Sequence, residues 1–309
     1  MGRNIIVAIA VLVLLAAVFL VMPKENAGGN PQPAGNTTLP SPGNPVPQSQ
    51  AASKLRVASF NIQVFGQSKR SKPEVVSVLA RTVRKFDIIA IQELRDDTET
   101  TLPYFVNYIN TFPGPEYAAV SSPRLGRTAS KENYAFIYNT ETVDFVPGSN
   151  RTFQDPPQGT STDLFQREPF MAEFSSGNVS FVLIDIHTEP DTTESELDSM
   201  KLVFADAASA FPGKGLILLG DMNADCDYLK PGEPAWLRSD YFWVVPDSAD
   251  TTTKSTDCAY DRIILDQGAK NSFDGSWGVY RFDNEFSLNA SQTEAVSDHY
   301  PVWAEFNTN

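Results

Sequence analysis

Four short apolar runs along the chain each end abruptly in polar residues. Continuous apolar runs of this length are typical of central β-strands that are buried on both faces. In α/β sheets, ligands gather beyond one end of such strands, so the side chains that follow the strands can meet there. The pattern therefore predicts one site built from the polar residues at these ends, which are Asn61, Gln92–Glu93, His187 and Asp221–Asn223.

Two segments between the runs show the apolar period of amphipathic helices. The first begins at Pro73, a residue suited to the first position of a helix. In the second, Thr193 and Glu196 have the spacing of a capping box ahead of an apolar series. Further strands are predicted over 134–145 and 300–306, so the chain is expected to be a mixed α/β protein with helices covering its sheets.

The N-terminus differs in composition from the rest of the chain. Residues 5–22 are apolar and follow Arg3. A run of this length is consistent with either a short membrane span or a long signal-peptide core. We interpret residues 1–26 as a signal anchor or signal peptide, and we favour the uncleaved anchor because no cleavage site is obvious. Either alternative predicts an extracellular protein, secreted or anchored to the outer face of the membrane.

The remaining chain divides into a linker and one catalytic domain. Residues 27–53 are rich in Pro, Gly, Ser and Asn with almost no charge, which predicts a disordered tether. Residues 54–309 are long enough for one core and contain no internal repeat. The formal net charge is −14, and the acidic excess lies after residue 53. DNA binding would therefore require bound cations to change the sign of the local charge.

The chain contains two cysteines, Cys226 and Cys258. Outside the cell, an isolated pair is more often a disulfide than a metal site, which needs more ligands. The alternative is two buried free thiols.

Both histidines of the chain, His187 and His299, adjoin a predicted strand end near an acidic residue. A single histidine is more often structural, but because an imidazole titrates near neutral pH it can also exchange protons in catalysis. The other polar residues at the strand ends are hard oxygen ligands that suit Mg²⁺ or Mn²⁺ and lack the His/Cys set of structural zinc. They are Asn61, Glu93, Asp221, Asn223 and Asp298.

Taken together and in order, these motifs resemble the deoxyribonuclease I family of the endonuclease/exonuclease/phosphatase superfamily. The resemblance covers residues 55–306, and five ordered motifs are far more specific than any one of them. The five motifs are 59–61, 92–93, 185–187, 220–223 and 297–299, and the segments particular to the deoxyribonuclease I family are 60–66, 92–96, 125–127 with 131–132, 165–169, 220–226, 246–251 and 258–263.

The resemblance implies a four-layer α/β sandwich, with two packed β-sheets flanked by helices, and a metal-dependent endonuclease that hydrolyses DNA. It implies that Mg²⁺ or Mn²⁺ is held by Asn61, Glu93, Asp221 and Asp298, and that Asn223 contacts the phosphate. His299, oriented by Asp261, would act as general base, and His187, oriented by Glu132, would protonate the leaving oxygen. Cys226 and Cys258 fall where the family keeps a disulfide.

The resemblance also implies partners beyond the catalytic ion. Arg95 and Arg167 match arginines that contact DNA, which we expect to be double-stranded. Two structural calcium sites are implied, one formed by Asp155, Asp163, Phe165 and Glu168, the other by Asp250, Thr252 and Thr256. We expect a monomer.

Three departures from the family affect these expectations. Lys254 stands at a threonine position in the second calcium loop, and Ser130 replaces a tyrosine that packs against the DNA sugar. The actin-contacting residues of the mammalian enzyme are not matched at Ser121 or Phe170, so actin binding is not expected.

Two alternatives to a deoxyribonuclease stay open. One is a phosphoesterase of the same superfamily that acts on an inositol phosphate or a sphingomyelin-type lipid, since fold alone does not fix the substrate. The other is a catalytically inactive binding module on the cell surface. The arginine and cysteine motifs weigh against the first, and the complete set of acids, amides and imidazoles weighs against the second.

Overall fold

The computed structural model describes residues 54–309, and the first strand begins at Lys54. The predicted N-terminal signal anchor or signal peptide and the predicted linker lie outside the described residues, so the division of the chain stays a prediction. Within 54–309, no helix has the length and apolar character needed to cross a membrane.

The strands of residues 54–309 form two mixed sheets. The first sheet has the strand order β12-β13-β1-β2-β4-β3, and the second has the order β10-β11-β9-β8-β7-β5, with β6 paired to β7. The strands are β1 (Lys54–Phe65), β2 (Ile88–Leu94), β3 (Tyr117–Ser121), β4 (Asn133–Asn139), β5 (Asp144–Phe145), β6 (Arg151–Thr152), β7 (Phe170–Ser176), β8 (Val179–His187), β9 (Gly215–Asp221), β10 (Phe242–Trp243), β11 (Asp261–Leu265), β12 (Phe273–Val279) and β13 (Val302–Asn307).

Helices cover the outer face of each sheet. Helices α2, α3 and α8 pack on the first sheet, and α4 and α5 pack on the second. The helices of the described chain are α1 (Gln67–Arg70), α2 (Pro73–Val83), α3 (Thr101–Ile109), α4 (Thr193–Ala210), α5 (Ala235–Asp240), α6 (Gln267–Lys270), α7 (Phe282–Glu285) and α8 (Ala290–Val296).

Three apolar layers hold these elements together. Val57 and Leu219 belong to the layer between the two sheets, whereas Ala58, the neighbour of Val57, belongs to the layer under the helices of the first sheet. Successive residues of a strand point to opposite faces, so a strand covered on both sides must be apolar at every position. The arrangement of helices, sheet, sheet and helices confirms the predicted four-layer α/β sandwich.

Each sheet has one parallel pair of strands at its centre, and these pairs position the site. In the first sheet β1 is parallel to β2, with Asn61 opposite Gln92. In the second sheet β8 is parallel to β9, with His187 opposite Asp221. The carboxyl ends of these four strands are the ends that the apolar pattern predicted.

Two local predictions were wrong. The capping box at Thr193 and Glu196 does not form, because α4 begins at Thr193 after a 3₁₀ turn, and Glu196 accepts hydrogen bonds from Gln166 and Thr192. The segment 134–145 is not one strand but is divided between β4 and β5, which lie in different sheets. Pro73 is the first residue of α2, as predicted.

Candidate active site

The close approach of β8 and β9 explains the glycine that precedes Asp221. Gly220 has φ +146°, and a Cβ built there would lie 1.8 Å from the carbonyl oxygen of Ile186. A side chain at this position would therefore separate the two strands, since non-bonded heavy atoms cannot approach each other that closely. Gly220 allows Asp221, the last residue of β9, to lie beside His187, the last residue of β8.

One histidine of the site is His187, which is fixed by a buried glutamate. Its Nδ1 lies 2.7 Å from Oε1 of Glu132, and its backbone N–H donates to the hydroxyl of Tyr134 at 2.9 Å. Burial alone would lower the pKa of His187, but the Glu132 carboxylate outweighs that effect and raises it. Because Nδ1 is held by Glu132, Nε2 is the ring atom directed into the site.

Two arginines hold the same glutamate. Arg167 lies 3.0 Å from Glu132 Oε1 and also donates to the carbonyl oxygens of His187 and Thr188. Arg95 approaches Oε2 of Glu132 at 3.3 Å. Burial would raise the pKa of Glu132, but His187 and both arginines outweigh it, so the pKa is lowered and Glu132 stays ionised.

The second histidine, His299, is fixed by a different carboxylate. Its Nδ1 lies 2.8 Å from Oδ2 of Asp261, which is buried in β11. Its backbone N–H donates to Ser297 Oγ, which in turn donates to the carbonyl oxygen of Asn61. Burial would lower the pKa of His299, but Asp261 and Asp221 outweigh it and raise the pKa to about 10.

Asp221 lies between the two imidazoles. Its Oδ2 is 3.5 Å from Nε2 of His187 and 3.5 Å from Nε2 of His299. Burial raises the pKa of Asp221, but the two histidines and the amide of Asn61 lower it further than burial raises it. The Nε2 atoms of both histidines therefore face one ionised carboxylate, which is a geometry for two proton transfers around a single reacting centre.

The remaining acidic groups of the site suit a divalent cation. Nδ2 of Asn61 donates to Glu93 at 3.1 Å and to Asp221 at 2.9 Å, so the amide links two carboxylates. Asp298 lies close by, 3.9 Å from Nε2 of His299. Carboxylate oxygens are the ligands that Mg²⁺ and Mn²⁺ prefer. Glu93, Asp221 and Asp298 carry such oxygens, whereas Asn61 faces Glu93 and Asp221 with its nitrogen.

The ligand atoms of Asp221, Asp261 and His299 all lie within 4.8 Å of one another, so these three residues form a group that could hold a metal ion. Nδ1 of His299 is hydrogen-bonded to Oδ2 of Asp261, while Nε2 of His299 is directed towards Asp221. This group shares only Asp221 with the cation ligands that the family resemblance implies.

The two arginines that the sequence predicted to contact DNA differ in exposure. The side chain of Arg95 is 28% exposed and also lies 3.3 Å from Glu93. The side chain of Arg167 is 4% exposed and is enclosed by Glu132 and Glu189. Asn223 lies next to the site and donates through Nδ2 to the carbonyl oxygen of Thr188 at 3.0 Å. Ser130 is exposed in the loop before β4.

The residues of the first predicted calcium site converge on one loop. Asp155 accepts hydrogen bonds from the backbone N–H groups of Leu164 and Phe165. Burial and the neighbouring Asp163 raise the pKa of Asp155. Among the described residues, Glu168 Oε2 is buried without a hydrogen-bond partner. Neighbouring carboxylates and an unpaired buried oxygen fit a bound Ca²⁺.

The second predicted calcium loop is closed by its own hydrogen bonds. Asp250 Oδ1 accepts from the backbone N–H and the hydroxyl of Thr252, both at 3.0 Å, and the Thr252 hydroxyl also contacts the carbonyl oxygen of Thr256. Cys226 and Cys258 form the predicted disulfide next to this loop. The described chain has no free cysteine.

Three contacts of the site were not foreseen from the sequence. They are the hydroxyl of Tyr134 on the His187 backbone, the ion pair of Lys254 with Asp298, and the ammonium of Lys69 on the carbonyl oxygens of Ile62 and Gln63. Lys254 is one of the departures from the family, but its contact with Asp298 joins two loops that are distant in the chain.

A family model described as the Endonuclease/Exonuclease/phosphatase family matches residues 58–299. The chain is 38% identical to Deoxyribonuclease-1-like 2 of Mus musculus over 267 residues, which cover 83% of this chain and 93% of the relative. It is 34% identical to Deoxyribonuclease-1 of Bos taurus, covering 82% of this chain and 92% of that relative.

Solved structures share the fold at lower identity. An endonuclease/exonuclease/phosphatase family protein from Bacteroides thetaiotaomicron superposes with a TM-score of 0.58 at 19% identity, covering 84% of this chain and all (100%) of that chain. The structure of D. rerio TDP2 complexed with single strand DNA product superposes with a TM-score of 0.56 at 16% identity, covering 83% and 100%.

Proposed function

The chain belongs to the deoxyribonuclease I family, within the endonuclease/exonuclease/phosphatase superfamily, and we propose that it is a metal-dependent endonuclease that hydrolyses phosphodiester bonds of double-stranded DNA. The observation that carries this proposal is the pair of carboxylate-held histidines whose Nε2 atoms both lie 3.5 Å from Asp221. This arrangement supplies a proton acceptor and a proton donor on two sides of one anionic centre.

The reaction explains why the site combines acids with imidazoles. The anionic oxygens of a phosphodiester repel an incoming nucleophile, so charge must be offset while one proton is removed and another is delivered. A divalent cation held by Glu93, Asp221 and Asp298 would offset the phosphate charge and orient its oxygens. The side chains that move protons are then the two histidines.

His299 is the general base in this proposal. Asp261 holds the Nδ1–H group, so Nε2 is left to accept a proton from water. That transfer requires a neutral imidazole, whereas the nearby carboxylates raise the pKa of His299 to about 10. Neutralisation of the charge on Asp221 and Asp298 removes part of this attraction and makes the neutral form available at a lower pH.

His187 is the general acid. Glu132 holds its Nδ1–H group and raises its pKa, so Nε2 carries the proton that the leaving oxygen needs. The positive charge of Arg167 limits this rise in the pKa of His187, which makes the proton easier to give up. The two pairs are therefore suited to opposite directions of proton transfer.

Contacts with DNA are assigned to Arg95 and Asn223. Arg95 is the more exposed of the two arginines, and Asn223 lies two residues after Asp221, where it can reach a phosphate. The enclosure of Arg167 supports a positioning role on Glu132, and its direct contact with DNA stays a prediction.

We also propose where the enzyme works and in which form. A disulfide is typical of proteins in oxidising compartments, which supports an extracellular enzyme. We further propose that residues 54–309 form a monomeric catalytic domain with calcium bound in the two loops. The N-terminal segment would secrete or anchor this domain, and actin is not among its expected partners.

Digestion of supercoiled plasmid tests the proposal. The purified protein should nick the plasmid with Mg²⁺ and Ca²⁺ present and lose this activity in EDTA. An inositol phosphate and a choline phospholipid serve as rival substrates in the same buffer. Intact plasmid together with release of phosphate or phosphocholine would instead place the protein among the other phosphoesterases of its superfamily.

A further inference from the structure

Lys254 is an exposed lysine that contacts a proposed metal ligand. Its Nζ lies 2.9 Å from Oδ2 of Asp298, with the lysine side chain 54% exposed and the aspartate side chain 21% exposed. We propose that Lys254 is a resident counter-ion of Asp298, which a divalent cation must displace, and that it thereby weakens the affinity of the active site for that cation. The inference rests on the proposed function because it takes Asp298 as a metal ligand.

The fold places Lys254 beside Asp298 through backbone contacts. The backbone N–H of Thr253 donates to the carbonyl oxygen of Asp298 at 2.9 Å, and its hydroxyl donates to the carbonyl oxygen of Ser297 at 2.9 Å. Thr252 forms an isolated β-bridge with His299. The segment before Lys254 is thus bound to the segment that contains Asp298, so the ion pair does not depend on a chance meeting of two mobile loops.

The other lysine and arginine side chains described around the site have different partners. The Lys69 ammonium donates to two backbone carbonyl oxygens, those of Ile62 and Gln63. Arg95 lies between Glu93 and Glu132. Within residues 54–309, Lys254 is the lysine or arginine that forms an ion pair with Asp298. His299 lies 3.9 Å from Oδ1 of Asp298, so Lys254 is the cation hydrogen-bonded to the other oxygen, Oδ2.

Lys254 and a bound cation would compete for the same oxygen atoms. An ammonium left at hydrogen-bond distance from Asp298 would repel an incoming divalent ion, so binding requires the lysine to move away. Its flexible stem and exposure allow that movement without disruption of the core. An exposed ion pair is a weak interaction, so its loss should change the affinity for the cation by about three- to tenfold.

Titration of the protein with Mn²⁺ in the absence of DNA tests this inference. The active-site ion is identified as the binding component that disappears in Asp298→Asn, which separates it from ions in the two predicted calcium loops. Lys254→Gln should tighten this component by about three- to tenfold, and Lys254→Arg, which keeps the charge, should bind as the wild type does. Bound Mn²⁺ is followed by calorimetry and by electron paramagnetic resonance.

Lys201 provides a matched control. Its side chain is also 54% exposed and pairs with an aspartate, Asp198, on α4. Lys201→Gln removes the same charge and should leave the affinity for Mn²⁺ unchanged. If Lys201→Gln and Lys254→Gln tightened Mn²⁺ binding equally, the net charge of the protein would explain the effect and the inference would be overturned.

A double-mutant cycle locates the effect. In an Asp298→Asn background, Lys254→Gln should not alter the remaining Mn²⁺ components. A change there would assign the lysine to the calcium loop and overturn the inference. Plasmid nicking by the wild type is scored separately, so a protein that binds Mn²⁺ as expected but leaves plasmid intact would disprove the proposed function and not the role of Lys254.

Discussion

The two histidine–carboxylate pairs of the site have nearly the same geometry but different surroundings. His187 lies 2.7 Å from Glu132, and His299 lies 2.8 Å from Asp261. Glu132 also pairs with two arginines, whereas Asp261 forms no ion pair with Lys or Arg within residues 54–309. The same hydrogen bond is thus placed once in a cationic environment and once in an anionic one.

This difference sets how firmly each imidazole holds its proton. Burial raises the pKa of Asp261, while the arginines and His187 overcome burial at Glu132 and lower its pKa. At His299 burial lowers the pKa, but the carboxylates outweigh it without opposition from an arginine and raise the pKa to about 10, whereas Arg167 opposes protonation of His187. The second partners of the carboxylates, and not the hydrogen bond to the ring, would therefore distinguish the proposed acid from the proposed base.

Removal of either imidazole should have the largest effect. His187→Ala and His299→Ala are each expected to slow plasmid nicking by about 10²–10⁴-fold, the usual contribution of general acid–base catalysis. The double variant should lose less than the product of the two, because each histidine serves the same transition state. Single-turnover nicking rates at saturating Mg²⁺ measure the loss. A single variant that retains wild-type turnover would remove that histidine from the mechanism.

Substitutions of Arg167 and Arg95 should lower the stability of the fold by different amounts. Arg167→Gln removes a buried partner of Glu132 and should lower the free energy of unfolding by about 3 kcal/mol, since a buried charge is left less well compensated. Arg95→Gln should cost less than about 1 kcal/mol, because Arg95 is partly exposed. Urea unfolding in EDTA compares the variants. Equal costs for both would contradict the assignment of Arg167 as the main support of Glu132.

The sequence was sufficient to predict the core of the fold and the meeting of the site residues. Strands buried on both faces must be apolar throughout, as Val57 and Ala58 illustrate, so the central strands and their polar ends were visible in the apolar pattern. Gly220 marks the close approach of two such strands, and its motif was part of the family resemblance.

Other features depend on tertiary contacts that leave no local signal. The two-residue strands β5, β6 and β10 have no readable period, so the division of 134–145 between two sheets could not be predicted. The burial of Arg167 follows from packing around Glu132, and the contact of Lys254 with Asp298 follows from the pairing of two distant loops. The residue types at positions 167 and 254 show that each side chain is charged, but they do not show which group it contacts in the fold.

A further expected effect, which is gradual for each unit of pH, is a pH dependence of stability in EDTA. The folded-state pKa of His299, about 10, lies above its ordinary value of 6.5. Its stabilising contribution is therefore fully present below pH 6.5, declines as the unfolded chain loses its proton, and is gone above about pH 10. In that window the contribution falls by at most about 1.4 kcal/mol per pH unit.

A subtraction isolates this contribution from groups with the opposite sign. Burial lowers the pKa of Lys69 from 10.5 to about 8, so Lys69 makes the protein more stable as pH rises through that range. The difference in unfolding free energy between the wild type and His299→Asn cancels Lys69 and should shrink from pH 7 to pH 10. The same difference for His187→Asn should shrink at lower pH, because Arg167 already opposes protonation there. Parallel pH profiles for the two variants would mean that the arginines do not distinguish the pairs.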